Sequence, residues 1–313
     1  MEGLVKSGSS PDLDKVLASA GEVILGKERE LRLSLTCLLA KGHLLIEDLP
    51  GVGKTTLAHL LAKLVGLDYT RIQFTSDLLP ADIIGVSVYE RRSEDFYFHP
   101  GPIFAQLVLA DEINRATPKA QSALLEAMEE RQVTVEGETR ALPQPFFVIA
   151  TQNPTYQIGT FPLPESQLDR FLMRIELGYP DAEQEKTLLA GEDRRVLLSR
   201  LPAALSSGEL LGLQERAERV HVARDIIEYC YGILEFTRRS SRFLHGLSPR
   251  AGVGILRSAR AWALLADRDF VVPEDVQAVV PACVPHRLVS EADNGPAGHT
   301  AIADHILNGV PVP

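Results

Sequence analysis

Between residues 43 and 65 the chain passes from a short apolar run to a glycine-containing turn and then into helical spacing, and this succession limits the fold more than any other stretch. His43-Leu44-Leu45-Ile46 is bounded by Gly42 and Asp48, the form of a strand buried on both faces. It leads into Asp48-Leu49-Pro50-Gly51-Val52-Gly53-Lys54-Thr55. Backbone N–H groups can converge on one point only where residues accept unusual φ and ψ, a role that Gly51 and Gly53 can fill. The turn therefore predicts a phosphate-binding loop, with Asp48 standing where the strict pattern has glycine. Lys54 would reach the β- and γ-phosphates, Thr55 would offer its hydroxyl to Mg²⁺, and the N-terminus of the following helix would add its partial positive charge.

Further apolar runs at residues 70–74, 106–110, 146–151 and 172–177 alternate with helical or loop segments, the rhythm of βαβ units in a parallel sheet. One intervening helix is legible in detail. Thr117 suits its N-cap, Pro118 its first position, and Ala120, Ala123, Leu124, Ala127 and Met128 form one apolar stripe. Residues 132–142 alternate around Glu136-Gly137-Glu138 and predict a hairpin. After Pro180 strand signals stop, and residues 183–189, 210–220, 225–236, 250–265 and 274–280 read as helices. A chain of 313 residues is long enough for about two domains. The change of pattern assigns residues 1–190 to an α/β core and 191–313 to a small all-helical domain, with 201–208 as a flexible joint.

Charge narrows the partners. Asp and Glu (42) outnumber Lys and Arg (32), and a net charge of −10 repels nucleic acid and anionic membrane unless a local basic face overcomes it. Cys37, Cys230 and Cys283 lie far apart in apolar surroundings and predict buried, reduced thiols rather than a zinc site. The polar first 14 residues lack an apolar leader core, and charges interrupt the apolar stretches elsewhere, so a soluble, cytoplasmic protein without a membrane span is expected.

Four more places carry chemistry. Leu107-Val108-Leu109-Ala110-Asp111-Glu112 is an apolar strand ending in two acids. Neighbouring side chains leave a strand in different directions, so Asp111 can hold the metal while Glu112 polarises a water in line with the γ-phosphate. A second buried run ends in Gln152-Asn153-Pro154, where Asn153 could sense the γ-phosphate; a plain Asn-Pro turn is the alternative. In Gln167-Leu168-Asp169-Arg170-Phe171, Arg170 could offer its guanidinium to a neighbouring subunit, against a surface Asp169–Arg170 pairing. Ser248 and Pro249 open a helix and leave Arg250 in a first turn whose dipole disfavours a cation, a conflict that a nearby nucleotide phosphate would remove.

These residues and their order resemble the AAA+ ATPases, and among them the MoxR family. The resemblance runs from Val23-Ile24-Leu25-Gly26-Lys27 through residues 46–55 as Walker A and Ala110-Asp111-Glu112-Ile113-Asn114-Arg115-Ala116 as Walker B. It continues through residues 121–130, Asn153 as sensor 1, residues 163–171, and Ser248-Pro249-Arg250-Ala251 as sensor 2. It implies an AAA+ core with a helical lid, ATP and Mg²⁺ as cofactors, and a binding set of Gly26 with residues 48–55 and Thr56. It also implies an insert at residues 78–98, a hairpin at 133–142, and a ring, hexameric by expectation, in which Arg170 acts in trans. The implied activity is chaperone-like remodelling of a client protein, with a von Willebrand factor A domain protein as a possible partner. A nucleic-acid motor, a chelatase-like subunit and a slowly hydrolysing nucleotide-gated scaffold are the alternatives. The motor reading is disfavoured because Arg140 is the one cation between Gln132 and Leu142, against Glu136 and Glu138.

Overall fold

In the computed structural model, residues 11–153, 160–290 and 296–313 are described. Pro154, and most of the N-terminal stretch from which the lack of a leader was read, lie outside them. Two helices, α1 (Pro11–Val23) and α2 (Glu28–Leu39), precede the strand β1 (Leu44–Glu47). The phosphate-loop helix α3 (Lys54–Leu64) leads to β2 (Tyr69–Gln73), then to a short helix α4 (Pro80–Ile84) and a ribbon of β3 (Gly85–Glu90) and β4 (Asp95–Pro100). Next come β5 (Leu107–Asp111), α5 (Pro118–Glu130), a second ribbon of β6 (Gln132–Val135) and β7 (Glu138–Ala141), β8 (Phe147–Gln152), α6 (Glu165–Leu168) and β9 (Met173–Ile175). The remainder is helical: α7 (Ala182–Ala190), α8 (Arg194–Arg200), α9 (Ser207–Arg219), α10 (Arg224–Arg239), α11 (Pro249–Leu265), α12 (Pro273–Cys283) and α13 (Pro296–Gly309).

The central sheet has the order β2-β5-β8-β1-β9, and all its pairings are parallel. Its inner strands read as unbroken apolar runs because both faces are covered. Leu44, Ile46, Leu107, Leu109, Phe147 and Ile149 face one core, while Leu45, Val108, Ala110, Val148 and Ala150 face the other. This is an α/β core with a parallel sheet followed by an all-helical part. The first of the two cores runs on without a break into the helical part, joining Leu44 and Ile149 to Leu213, Ile233, Ile255 and Val279. Gln214 at the centre of this junction is buried and donates its amide to the Leu38 carbonyl at 2.8 Å.

Several local expectations change. Thr117 takes the N-cap position of α5 but makes no side-chain capping bond. In the α5 stripe Ala123 is only half-buried, while Gln121 is buried and donates to the carbonyls of Ile113, Ala116 and Phe161. The expected joint at 201–208 is fastened: the N–H groups of Ala204 and Leu205 both donate to the Leu64 carbonyl, and Ser206 opens α9 with a reciprocal Ser206–Glu209 capping box. The short helices α4 and α6, and α8 and α13 in the helical part, are additional to those expected.

The β6–β7 ribbon turns through Glu136 and Gly137, both at positive φ, as a two-residue loop between twisted strands requires. The β3–β4 ribbon is apolar and open to solvent on both faces, with Val86, Val88, Tyr89, Phe96 and Tyr97 all exposed. Its Phe98 lies under the Arg140 guanidinium of the other ribbon, 4.1 Å from the ring centre. Among the described residues, no helix is long and apolar enough to cross a membrane.

Candidate nucleotide site

In a parallel sheet the strand ends that follow the chain direction share one edge, where α/β proteins bind ligands. Here that edge carries the loop after β1, Asp111 and Glu112 at the end of β5, and Gln152 and Asn153 at the end of β8. Gly51 (φ 87°) and Gly53 (φ 96°) adopt the left-handed backbone that brings Leu49, Pro50 and Val52 round to the start of α3, with Thr56 half-buried in its first turn. Lys54 is buried and extends back over the loop. Its ammonium donates to the carbonyls of Asp48 and Leu49 and to Asn153 Oδ1 at 3.3 Å. Burial pulls its pKa below the usual lysine range, partly offset by Asp48, Asp111, Glu112 and Glu47.

Asp48 is explained by partners far along the chain. One carboxylate oxygen accepts the backbone N–H of Leu49 at 2.7 Å, and the other accepts those of Leu177 (2.7 Å) and Gly178 (2.6 Å). The residue that breaks the glycine pattern thus ties the loop to the segment after β9. The turn at Gly26 (φ 64°) meets the same region: a Cβ there would strike the Gln184 side chain, and Lys27 donates to the Tyr179 carbonyl at 3.0 Å.

The two acids have different partners, because β5 ends at Asp111 and the chain turns at Glu112. Asp111 is buried; Thr151 donates to its Oδ1 at 2.6 Å, and Thr55 Oγ1 lies 3.5 Å from its Oδ2. Arg71, from the middle of β2, donates to that same oxygen through Nε (3.0 Å) and a terminal nitrogen (2.7 Å). Glu112 takes a left-handed backbone (φ 57°, ψ 47°) that swings its carboxylate away from Asp111. Asn153 donates to its Oε1 at 3.1 Å, while Gln73 and Arg115 each donate to its Oε2 at 3.0 Å. Asn153 therefore bridges the loop lysine and the acid.

Arg170 and Arg250 lie elsewhere. Arg170 precedes β9 and donates to the Leu125 carbonyl at 2.5 Å, and Arg250 donates to Glu129 at 2.8 Å. Both meet α5 near its C-terminus, beside Lys41, Gly42 and His43 at the start of β1, in a cleft of about 210 Å³ that Arg131, Arg257 and Arg287 also line. That is the opposite edge of the sheet from Lys54, and the four residues of β1 alone separate the two edges by about 13 Å. In one chain neither arginine faces the phosphate loop. The Asp169–Arg170 surface pairing is also absent from the described contacts of Asp169, which instead accepts Arg287 at 2.7 Å.

Comparison with known proteins matches this geometry. Residues 43–173 fit the model of the ATPase family associated with various cellular activities (AAA), and residues 235–306 fit an AAA lid domain. The chain is 45% identical to YeaC of Bacillus subtilis over 97% of its length and 95% of that protein. It is 41% identical to Chaperone MoxR1 of Mycobacterium tuberculosis (94% and 78%) and 32% identical to Protein MoxR of Paracoccus denitrificans (95% and 95%). The chain belongs to the MoxR family of AAA+ ATPases. A solved structure of a candidate ATPase from Cytophaga hutchinsonii superposes on this MoxR-family chain with a TM-score of 0.85 at 36% identity, covering 97% of one and 95% of the other.

For a MoxR-family ATPase the donor set suits a hard divalent cation: the Thr55 hydroxyl and the Asp111 carboxylate supply the oxygens that Mg²⁺ prefers. Mg²⁺ held there would supply positive charge to offset that of the phosphates. Lys54 and the loop amides would hold the β- and γ-phosphates, Glu112 would orient and deprotonate a water, and Asn153 would fix Glu112 relative to Lys54. Sequence reasoning missed Arg71, Gln73, Thr151 and Arg115 around the acids. Arg71 and Gln73 do alternate with apolar residues in the run at 70–74, and that alternation was the available signal.

Proposed function

We propose that this chain binds ATP with Mg²⁺ through residues 48–56, Thr55 and Asp111, and hydrolyses ATP at the interfaces of a ring, a hexamer by expectation. One observation carries this reading. The residues that would hold and activate the nucleotide occupy one edge of the sheet, while Arg170 and Arg250 converge on the other, so a complete site needs two chains. Head-to-tail contact sets the front edge of one subunit against the back edge of the next, and such contacts close into rings. Arg170 would then act on the neighbour's γ-phosphate, and Arg250 beside it.

The work done is remodelling of a client protein in the cytoplasm, reached through the exposed apolar β3–β4 ribbon and the β6–β7 ribbon, with a von Willebrand factor A domain protein as a co-partner. Exposed Tyr89, Phe96 and Tyr97 support contact with apolar client segments. The division into a core to residue 190 and a lid beyond it belongs to the same proposal.

Subunit mixing tests the reading. Arg170→Ala and Lys54→Ala chains, each inactive alone, should regain hydrolysis when mixed, because roughly a quarter of randomly formed head-to-tail interfaces pair two intact edges. An intact rate in Arg170→Ala alone, or no recovery in the mixture, overturns action in trans.

A further inference from the structure

We propose that Glu129 is the positioning residue of the back edge: its carboxylate yokes Arg170 and Arg250 into one paired cation that meets the neighbouring subunit's nucleotide. This rests on the reading of those arginines as acting in trans. The two guanidiniums come from elements far apart in sequence, the turn after α6 and the first turn of α11. Both reach a single oxygen, Glu129 Oε2, with Arg250 at 2.8 Å and Arg170 at 3.6 Å. Two like charges drawn to one point repel unless an anion lies between them, and Glu129 is that anion.

The surroundings make the need larger. Arg131 and Arg257 line the same cleft and are anchored by donating to the backbone carbonyls of Lys41 and Ala40. Arg287 and Asp169 neutralise each other beside them. Glu129 is thus set among cations, and its carboxyl is held below the usual range, first by the Arg250 hydrogen bond. Its own place is fixed from beneath. Ala127 and Met128 are buried against the sheet, which leaves Glu129 on the outer side of the last turn of α5, and the left-handed Arg131 (φ 52°) ends the helix there. Arg250 gains a partner that its helix dipole alone would deny it.

Glu129 is tied to the two arginines on the edge of the sheet opposite the phosphate loop, so it acts through them. Misplacing a charge-stabilising group by a fraction of its reach lowers the rate of the chemical step more than substrate affinity, which stays with the loop residues of the other chain. Glu129→Ala should therefore lower kcat about tenfold while KM for ATP changes less than about twofold. Glu129→Gln, which keeps the acceptor but loses the charge, should fall between it and the parent.

The decisive readout is the face on which the defect lies. Glu129→Ala chains mixed with Lys54→Ala chains should recover hydrolysis, which also shows that the variant folds and assembles. Glu129→Ala mixed with Arg170→Ala should not, since both lesions sit on the same edge. Undiminished or raised turnover in Glu129→Ala, or recovery in the second mixture, overturns the proposal. If the Arg170→Ala and Lys54→Ala mixture recovers while Glu129→Ala is silent, the yoke falls and the ring reading stands. If that reference mixture fails to recover, both fall together.

Discussion

Asp48 and Gly178, 130 positions apart, are joined by a 2.6 Å hydrogen bond from the Gly178 N–H to a carboxylate oxygen, which fastens the phosphate loop to the chain leaving the last strand of the sheet. The same oxygen takes the Leu177 N–H, so two backbone donors depend on it. Removing the acceptor leaves them without partners. Asp48→Ala should lower the unfolding free energy by about 2 kcal/mol, read as a shifted denaturant midpoint at constant slope. Asp48→Gly should be no better, although glycine is the residue of the strict loop pattern. A neutral or stabilising Asp48→Gly would show that this carboxylate does not anchor the loop.

If Lys54 holds the phosphates and Glu112 is the base, substitutions at the two should separate binding from chemistry. Lys54→Ala should abolish detectable ATP binding in calorimetry, because the loop then lacks the one ammonium that reaches both the loop carbonyls and Asn153. Glu112→Gln keeps a side chain that Asn153 can bond but loses the base, so it should bind ATP and release phosphate at least a hundredfold more slowly, about the loss seen when a general base is removed. Normal phosphate release from Glu112→Gln would transfer the base to another residue.

Arg71 donates twice to Asp111 Oδ2, an oxygen for which a bound Mg²⁺ would compete. The pair is half exposed on the arginine side, which limits its worth to about 1 kcal/mol. Arg71→Ala should therefore lower the Mg²⁺ concentration needed for half-maximal binding of a fluorescent ATP analogue by about fivefold. An unchanged or raised requirement would mean that Arg71 helps the metal rather than opposing it.

Acid should weaken the fold through His43. Its Nδ1 accepts the Val148 N–H at 3.0 Å, so the proton sits on Nε2, which lies 3.3 Å from the Met128 carbonyl. Burial, with Arg131, Arg257 and Arg250 nearby, pushes its pKa down to about 4 from 6.5. The unfolded chain takes up this proton below about pH 6.5, whereas the folded chain refuses it until about pH 4. Its contribution is thus present above pH 6.5 and lost as the pH falls through that window. Between pH 7 and 5 the loss should be about 2 kcal/mol, and His43→Asn should show a correspondingly smaller pH dependence in denaturant unfolding. Equal stability of the parent at both values would show that His43 is not held neutral.

What could be read from the sequence followed the range of each signal. The inner strands and α5 carry their burial pattern within a dozen residues, and the phosphate loop, Asp111, Glu112 and Asn153 each close a local motif. Helix α8 was missed because Leu198 is its one buried residue, and α13 because its glycines and histidines blur the apolar spacing. The partners of Asp48 lie 129 and 130 residues away, and Glu129, Arg170 and Arg250 meet only after three elements are packed, so no local pattern could report them.

The Phe98–Arg140 contact gives the two exposed ribbons a mechanical consequence. A load applied at the β3–β4 tip is shared through that stacked pair with β7, whose ribbon is rooted at Arg131 by the Leu142 N–H bond to the Arg131 carbonyl. Arg131 stands two residues from Glu129. The ribbons and the back-edge arginines are thus both anchored at the end of α5. On the proposed function, traction on a client polypeptide and the alignment of the neighbour's catalytic edge would be transmitted along the same few residues.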